Sequence, residues 1–198
     1  MSRLLPGILA MAIIVVASNI LVQFLYGQWL TWGAFTYPFA FLVNDMTNRA
    51  LGPQMARRAV FAGFALAVAL SIYLATPRIA VASGAAFLTA QLLDVVIFDR
   101  LRGQAWWKAP ALSSLTGSAL DTVLFFSLAF AAAFVLLGPN DPFALESAPV
   151  FGVMTVDAPR WMSWALGDFC VKLLVAATAL VPYRLLLNIL PATRVSAA

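Results

Sequence analysis

Leu93-Asp94-Val95-Val96-Ile97-Phe98 and, 27 residues further on, Leu120-Asp121-Thr122-Val123-Leu124-Phe125 are two apolar stretches that carry an aspartate in the same local frame. An ionisable side chain in a lipid-spanning segment costs at least about 2.5–3.5 kcal/mol on insertion scales, so it usually faces inward, finds a partner and serves a function. The repeated frame therefore predicts two helices that each offer a carboxylate to one site.

The composition around these stretches is that of a membrane protein. Of the 198 residues, 63% are hydrophobic and 10% are charged, against roughly 45–50% apolar and about 25% charged residues in a soluble domain. Apolar runs lie near residues 4–26, 33–46, 58–76, 79–98, 111–137 and 161–187. Their lengths suit helices that cross a hydrocarbon core of about 30 Å. The sequence predicts an all-α integral membrane protein, a six-transmembrane-helix bundle in one domain, 1–198.

The second run is short and contains Pro38, within the stretch from Thr36 to Asp45. Proline removes a backbone donor, so this span is predicted to be broken or kinked. Broken helices near the midplane often expose backbone groups to a transported solute. Asp45 is then either part of a site or a helix-end cap before Arg49, and the sequence leaves both readings open.

The cations are sorted by loop, which predicts the orientation of the chain. Nine lie on one side, at positions 3, 49, 57, 58, 100, 102, 108, 184 and 194, whereas the other side has only Arg78 and Arg160. The positive-inside rule then places both termini in the cytoplasm and the long connection 138–160 outside. The N-terminal apolar run is also read as a span and not as a signal peptide, since it continues to Tyr26.

Polar side chains follow one face of the fourth and fifth spans. Their spacing, in steps of three and four, joins Gln91 to Asp94 on the fourth span and Ser114 to Asp121 on the fifth. Phe98 continues the first stripe. The alternative is that these groups only bond helix to helix, at about 0.6 kcal/mol each.

On the last span, Asp168 and Lys172 stand four residues apart, acid before base, which predicts an ion pair. Structural neutralisation and a role in transport remain equally open for this pair.

Several classes of function find no support in the residues. The chain has no histidine and one cysteine, Cys170, which excludes Ser-His and Cys-His dyads and the HExxH metal helix. We therefore expect no enzyme, no metal and no cofactor. The net charge of +4 is explained by the sorted loops, so we expect a lipid bilayer and no nucleic acid as the partner.

Five motifs, in order along nearly the whole chain, resemble the YhhQ-type queuosine precursor transporters, also called the VUT family. They are Tyr37-Pro38-x-x-Phe41-Leu42-x-x-Asp45, Ala56-Arg57-Arg58, Ala82-Ser83 leading to Gln91-x-x-Asp94-x-x-x-Phe98-x-x-Leu101, Ser113-Ser114 leading to Asp121-Thr122, and Asp168-x-x-x-Lys172. The first span and the segment 138–160 diverge from the family.

The resemblance implies a multi-pass protein of the bacterial inner membrane that imports 7-cyano-7-deazaguanine, or its 7-aminomethyl relative, for tRNA modification. A guanine-like edge offers two adjacent donors that one carboxylate can accept together, and aromatic rings can stack the base. The predicted substrate-binding residues are Asn44, Asp45, Gln91, Asp94, Phe98, Ser114, Asp121 and Lys172. The alternative is a substrate-binding component of an energy-coupling-factor importer, since the chain has no phosphate-binding loop of its own. The coupling ion and a homo-oligomeric state are left open.

Overall fold

The computed structural model describes residues 4–187 and is mostly helical. Its α-helices are α1 (Leu5–Leu21), α2 (Trp32–Thr36), α3 (Phe39–Leu51), α4 (Pro53–Leu74), α5 (Pro77–Leu101), α6 (Lys108–Phe130), α7 (Pro142–Leu145) and α8 (Arg160–Leu186). Short 3-10 helices cover Ala132–Leu137 and Val150–Gly152.

Two small antiparallel ribbons depart from the predicted all-α chain. β1 (Leu25–Tyr26) pairs with β2 (Leu30–Thr31), and β3 (Ser147–Pro149) pairs with β4 (Asp157–Pro159). Both lie in connections between helices, where the backbone polar groups need partners that no helix supplies. The ribbons are too short for a periodic apolar pattern to reveal them.

Glycine and proline residues set the boundaries of the central helices. Gly52, at a φ of 87°, joins α3 to α4, and Pro53 occupies the first turn of α4. Thr76 caps α5 by accepting a hydrogen bond from the amide of Ile79 at 3.4 Å, and Pro77 opens that helix. Glycine tolerates positive φ because it has no Cβ, and proline suits a first turn because its missing N–H has no partner there anyway. These tight turns bring α3, α4 and α5 into mutual contact as consecutive segments.

Four helices, α4, α5, α6 and α8, are long and apolar enough to cross a membrane, and α1 is a shorter apolar helix of 17 residues. They correspond to five of the six predicted runs. The run predicted over 111–137 is longer than its helix, because Ala131 turns to extended backbone with a ψ of 137° after Phe130. The chain is a multi-pass membrane protein.

The predicted second span corresponds to α2 and α3, which are separated by Tyr37 and Pro38. Both residues keep right-handed helical dihedrals. The amides of Ala40 and Phe41, however, bond only three residues back, to the carbonyls of Tyr37 and Pro38 at 2.9 and 3.1 Å. The backbone therefore continues in a helical sense while its regular hydrogen-bond ladder is interrupted.

Apolar side chains fill the space between α1, α4 and α5, whereas the outer faces of the helices expose large apolar residues. The buried cluster includes Met11, Val15, Val60, Phe87 and Val95. The exposed set includes Ile13, Ile72, Val123, Leu174 and Val181, each at least 61% exposed. So much exposed apolar surface is costly in water and fits a lipid environment.

Basic side chains gather at one end of the bundle, which we call the basic end. Arg49 Nη1 donates to the carbonyl oxygen of Arg102 at 3.2 Å, and the Arg184 guanidinium lies 4.9 Å from the ring centre of Trp106. These contacts bring the ends of α3, α5 and α8 together. Positions 3 and 194, which the charge pattern assigns to the same side, lie outside the described residues.

The opposite end, which we call the loop end, is held by Arg78 in the first turn of α5. The side chain is buried, with the residue only 4% exposed. Its guanidinium donates to the carbonyl oxygens of Leu128, Ala131, Gly138 and Pro139 and to Asn140 Oδ1, at 2.6–3.2 Å. The charge pattern identifies Arg78 only as a loop cation, because the acceptors of its guanidinium are mostly backbone carbonyls, which any residue type supplies.

Candidate functional site

A buried group that we call the lysine cluster joins α8 to α6 and to the turn before α3. Lys172 Nζ lies 2.6 Å from Asp121 Oδ2 and 3.1 Å from Thr122 Oγ1, and it forms a second ion pair with Asp168. Tyr37 donates its hydroxyl to Asp121 Oδ1 at 2.8 Å, and Thr122 donates to Asp168 Oδ2 at 3.0 Å. Lys172 is 2% exposed, so the three donors of its ammonium find their partners inside the bundle.

A second buried group, the paired-aspartate cluster, joins α3, α5 and α6. Asp45 accepts hydrogen bonds from Ser113 at 3.0 Å and from Ser114 at 3.5 Å. Asn44 Nδ2 donates to Asp94 Oδ2 at 2.8 Å, and the carboxyl groups of Asp45 and Asp94 interact with each other. Two neighbouring carboxyl groups repel when both are ionised, so a proton, a cation or a ligand with hydrogen-bond donors would stabilise this cluster.

Several buried polar atoms beside these clusters have no hydrogen-bond partner within the described part of the chain. They include Asn44 Oδ1, Asn48 Oδ1, Gln91 Oε1, Asp94 Oδ1 and the hydroxyls of Ser118 and Tyr183. A buried polar atom without a partner costs about 1–3 kcal/mol, so such atoms call for an explanation. The four side-chain oxygens on α3 and α5 are acceptors, and the amide Nε2 of Gln91 is an unpartnered donor beside them. Together they can accept from the N–H groups of a ligand and donate to one of its oxygens.

A narrow cleft reaches Asp45 between α3, α6 and α8, towards the basic end. It is a tight, half-open space of about 250 Å³ that includes open solvent, and it is lined by Pro38, Leu42, Asp45, Pro110, Ser114, Ala176, Ala179, Leu180 and Tyr183. Its polar groups are the Asp45 carboxyl and two hydroxyls, among apolar walls. Small-molecule sites have this character, a mostly apolar concave surface with few polar groups that fix orientation.

The ring of Phe41 lies between the two clusters. Ser114 and Asp121 are seven residues apart on α6, which corresponds to about 10 Å along the helix. Phe41, 1% exposed, packs at the level of Gly117 between them, where an added Cβ would come within 2.6 Å of a ring carbon. Its ring also meets that of Tyr37 edge-on, with 6.2 Å between the ring centres. An apolar barrier therefore separates the clusters along α6.

The two aspartates of the repeated sequence frame belong to different clusters in this structure, and the expectation that they serve one site stays a prediction. Asp94 contacts Asn44, whereas Asp121 contacts Lys172. The reason is the register of α6: Ser113 lies beside the paired aspartates, and Asp121 follows it by eight residues, about 12 Å along the helix.

The other predicted site residues divide in the same way. Asn44, Asp45, Gln91, Asp94 and Ser114 gather in or beside the paired-aspartate cluster, and Asp121 and Lys172 lie in the lysine cluster. Phe98 is fully buried, with its ring centre 6.4 Å from that of Tyr183. Lys172 pairs with Asp168 at the predicted spacing, and also with Asp121 on another helix, which spacing alone cannot reveal.

Asn48 and Tyr183 are buried polar residues that the sequence analysis did not identify, although the sequence contains a signal for each. Asn48 follows Asn44 by four residues on the same face of α3, and its Nδ2 donates to the carbonyl of Val95 at 3.0 Å. Tyr183 follows Lys172 by eleven residues, about three helical turns, so both point from one face of α8. Extending each polar stripe by whole turns identifies both residues.

Known proteins share sequence with this chain over the segments that contain both clusters. A family model described as "putative vitamin uptake transporter" matches residues 31–76 and 70–186. The chain belongs to this transporter family. The matched residues include every member of both clusters. Membership makes the chain a transporter and not an enzyme, as the sequence analysis predicts.

Individual relatives of this transporter point in the same direction. The queuosine precursor transporter of Escherichia coli (strain K12) is 35% identical over 205 residues, which cover 90% of this chain and 83% of the relative. A "probable queuosine precursor transporter" of Haemophilus influenzae is 33% identical over 182 residues, covering 81% and 69%. One of Bacillus subtilis (strain 168) is 27% identical over 134 residues, covering 54% and 58%. No solved structure gives a significant match.

Proposed function

We propose that this chain imports a queuosine precursor of the 7-deazaguanine type, 7-cyano-7-deazaguanine in the first place, across the bacterial inner membrane for tRNA modification. The names of the E. coli and H. influenzae relatives support this substrate class. Within the structure, the observation that carries the proposal is the cleft that ends on the buried Asp45 carboxyl.

The chemistry of the cleft suits a guanine-like edge. Such an edge presents a ring N–H and an exocyclic amino group side by side, and one carboxylate can accept both in short, charge-assisted bonds. Asp45 takes this role in our proposal. The unpartnered Tyr183 hydroxyl supplies a donor for the ring carbonyl oxygen.

Neighbouring residues hold these groups in place. Ser113 and Ser114 orient the Asp45 carboxyl, while Phe98 packs against the Tyr183 ring. Asn44 connects Asp94 to α3 behind Asp45. Because the cleft is narrow, a flat base enters only when α8 moves away from α3, which is the kind of rocking that alternating access uses.

The proposed topology has six spans in a single domain, with α2 and α3 together forming the short second span that is interrupted at Pro38. The basic end faces the cytoplasm, so both termini are cytoplasmic and the loop end is external. The positive-inside rule supports this orientation through the arginines at the basic end.

Uptake by the purified chain in liposomes, without any ATPase, tests the proposal. Radiolabelled 7-cyano-7-deazaguanine should accumulate in the lumen, and unlabelled 7-aminomethyl-7-deazaguanine and guanine are compared as competitors. Asp45→Asn keeps the size of the side chain and removes a charge-assisted contact worth about 1.5–3 kcal/mol, so uptake should fall roughly 10–100-fold.

Asp99→Asn is the matched control, because Asp99 is a partly exposed aspartate that pairs with Arg102 at 3.0 Å and does not line the cleft. Normal uptake by Asp45→Asn at wild-type abundance would remove Asp45 from the site. If labelled substrate binds the chain but enters liposomes only with a separate ATPase, the chain is instead the binding component of an energy-coupling-factor importer.

A further inference from the structure

The lysine cluster contains more acidic than basic groups. Asp121 and Asp168 carry two negative charges when both are ionised, and Lys172 carries one positive charge. The side chains of Lys172, Asp121 and Asp168 are only 3%, 6% and 14% exposed. A buried charge without a partner is costly. The cluster is therefore balanced only when one of its carboxyl groups holds a proton.

Hydrogen bonding points to the carboxyl group that can take this proton. Both oxygens of Asp121 are occupied, Oδ1 by the Tyr37 hydroxyl and Oδ2 by Lys172. Asp168 uses only Oδ2, which accepts from Thr122 and pairs with Lys172. Asp168 Oδ1 has no hydrogen bond among the described residues, so it can carry a proton without displacing a donor.

The position of Asp168 also gives it a route to the proton source. It is the most exposed of the three charged side chains. It lies eight residues after the start of α8, about 12 Å from the loop end of the bundle. A proton arriving from the external side thus meets Asp168 before it reaches Lys172.

The elements packed against α8 present few other ionisable groups. Those that face Asp168 are Lys172 on α8 itself, Asp121 on α6 and Tyr37 before α3. Asp45 lies further along, beside Tyr183. Arg160, at the start of α8, is engaged by Glu146 at 3.0 Å in the loop-end connection. Lys172 and Asp121 are therefore the charges that respond to a proton on Asp168.

We propose that Asp168 binds and releases one proton in each transport cycle, so that deazapurine uptake is coupled to a proton moving in the same direction. The inference rests on the proposed transport function. An O–H bond forms at Asp168 Oδ1 with a proton from the external water, and it breaks when that proton leaves towards the cytoplasm. With the proton bound, Lys172 neutralises Asp121 alone. Without it, both carboxylates share Lys172, which changes the link between α6 and α8.

Proteoliposomes with an imposed pH gradient test the coupling, with 7-cyano-7-deazaguanine as the probe and the membrane potential clamped at zero. With one proton per substrate, a gradient of about one pH unit, acid outside, should support about tenfold accumulation by the wild type. Asp168→Asn should lose this accumulation and settle near a ratio of about one, while it still exchanges labelled for unlabelled substrate. Asp157→Asn, which changes an exposed aspartate in β4, is the matched control and should accumulate like the wild type.

Accumulation by Asp168→Asn at the wild-type level would overturn the proposal. Wild-type accumulation that does not depend on the pH gradient, or that follows a sodium gradient, would overturn it as well.

A second measurement does not depend on the substrate. Infrared difference spectra on acidification should contain a protonated-carboxyl band that Asp168→Asn lacks and Asp157→Asn keeps. If this band is present but no deazapurine is exchanged, the proposed function fails and the proton site stands. If the band does not depend on Asp168, the proton site fails.

Discussion

Lys172→Met removes the single ammonium group from a buried cluster with two carboxyl groups. The variant leaves Asp121 and Asp168 without a cation beside them, at side-chain exposures of 6% and 14%. Removing one partner of a buried ion pair costs about 3–5 kcal/mol, because the remaining charge stays in a medium of low polarity. At about 2–4 °C per kcal/mol for a chain of this size, the melting temperature should fall by roughly 6–20 °C.

Asp168→Asn should behave differently, because it leaves one carboxylate and one ammonium in balance. We expect its melting temperature to stay within about 3 °C of the wild type, a change of roughly 1 kcal/mol or less. The double variant Asp168→Asn/Lys172→Met should remain as unstable as Lys172→Met, since Asp121 is still stranded. The i,i+4 spacing taken alone predicts the opposite, a double variant that recovers.

Thermal unfolding of the detergent-solubilised protein, followed by tryptophan fluorescence, measures these differences. Arg160→Met is the control, because it removes a cation from an ion pair that is 27% and 55% exposed, where the loss is about 0–1 kcal/mol. A double variant that regains wild-type stability would refute the reasoning, since it would mean that Lys172 neutralises only Asp168.

Two further predictions concern the barrier between the clusters and the orientation of the chain. Gly117→Ala should lower the free energy of unfolding by about 1–3 kcal/mol and slow uptake, since its Cβ would meet the Phe41 ring at 2.6 Å. Gly103→Ala is the control, because its Cβ would have nothing within 4 Å. Equal stability and uptake of the two variants would contradict the barrier. Thr155 is exposed at the loop end. In a Cys170→Ala background, the Thr155→Cys variant should react with an impermeant maleimide from outside intact cells. Labelling only after lysis would show that the chain has the opposite orientation.

The sequence predicted the helical segments well where length and composition decide them. The long apolar runs correspond to α1, α4, α5, α6 and α8, because a backbone in lipid satisfies its polar groups within a helix. A second span broken by Pro38 stays a prediction of the sequence; the structure has α2 and α3 on either side of Tyr37 and Pro38. The early end of α6 at Phe130 was not predictable, because residues 132–137 are as apolar as the helix before them.

The candidate site was predictable as a set of residue types and not as an arrangement. Buried Asp45, Asp94 and Asp121 stand out in sequence because charge is rare in an apolar run. Their division into two clusters depends on the register of α6 against α3 and α5, which places Ser113 beside Asp45. The register between two helices is set by how their side chains pack against each other, so it cannot be read from the periodic pattern of one helix alone.

By itself, the sequence determined that the chain is a helical membrane protein and that Asp168 and Lys172 share one face of the last span. Both conclusions need only the local composition and the helical repeat. Only the tertiary structure decided that Lys172 also binds Asp121, 51 residues away, and that Arg78 is buried against the end of α6. These contacts join helices that are distant along the chain, so they arise from how the bundle packs and leave no periodic trace in the sequence.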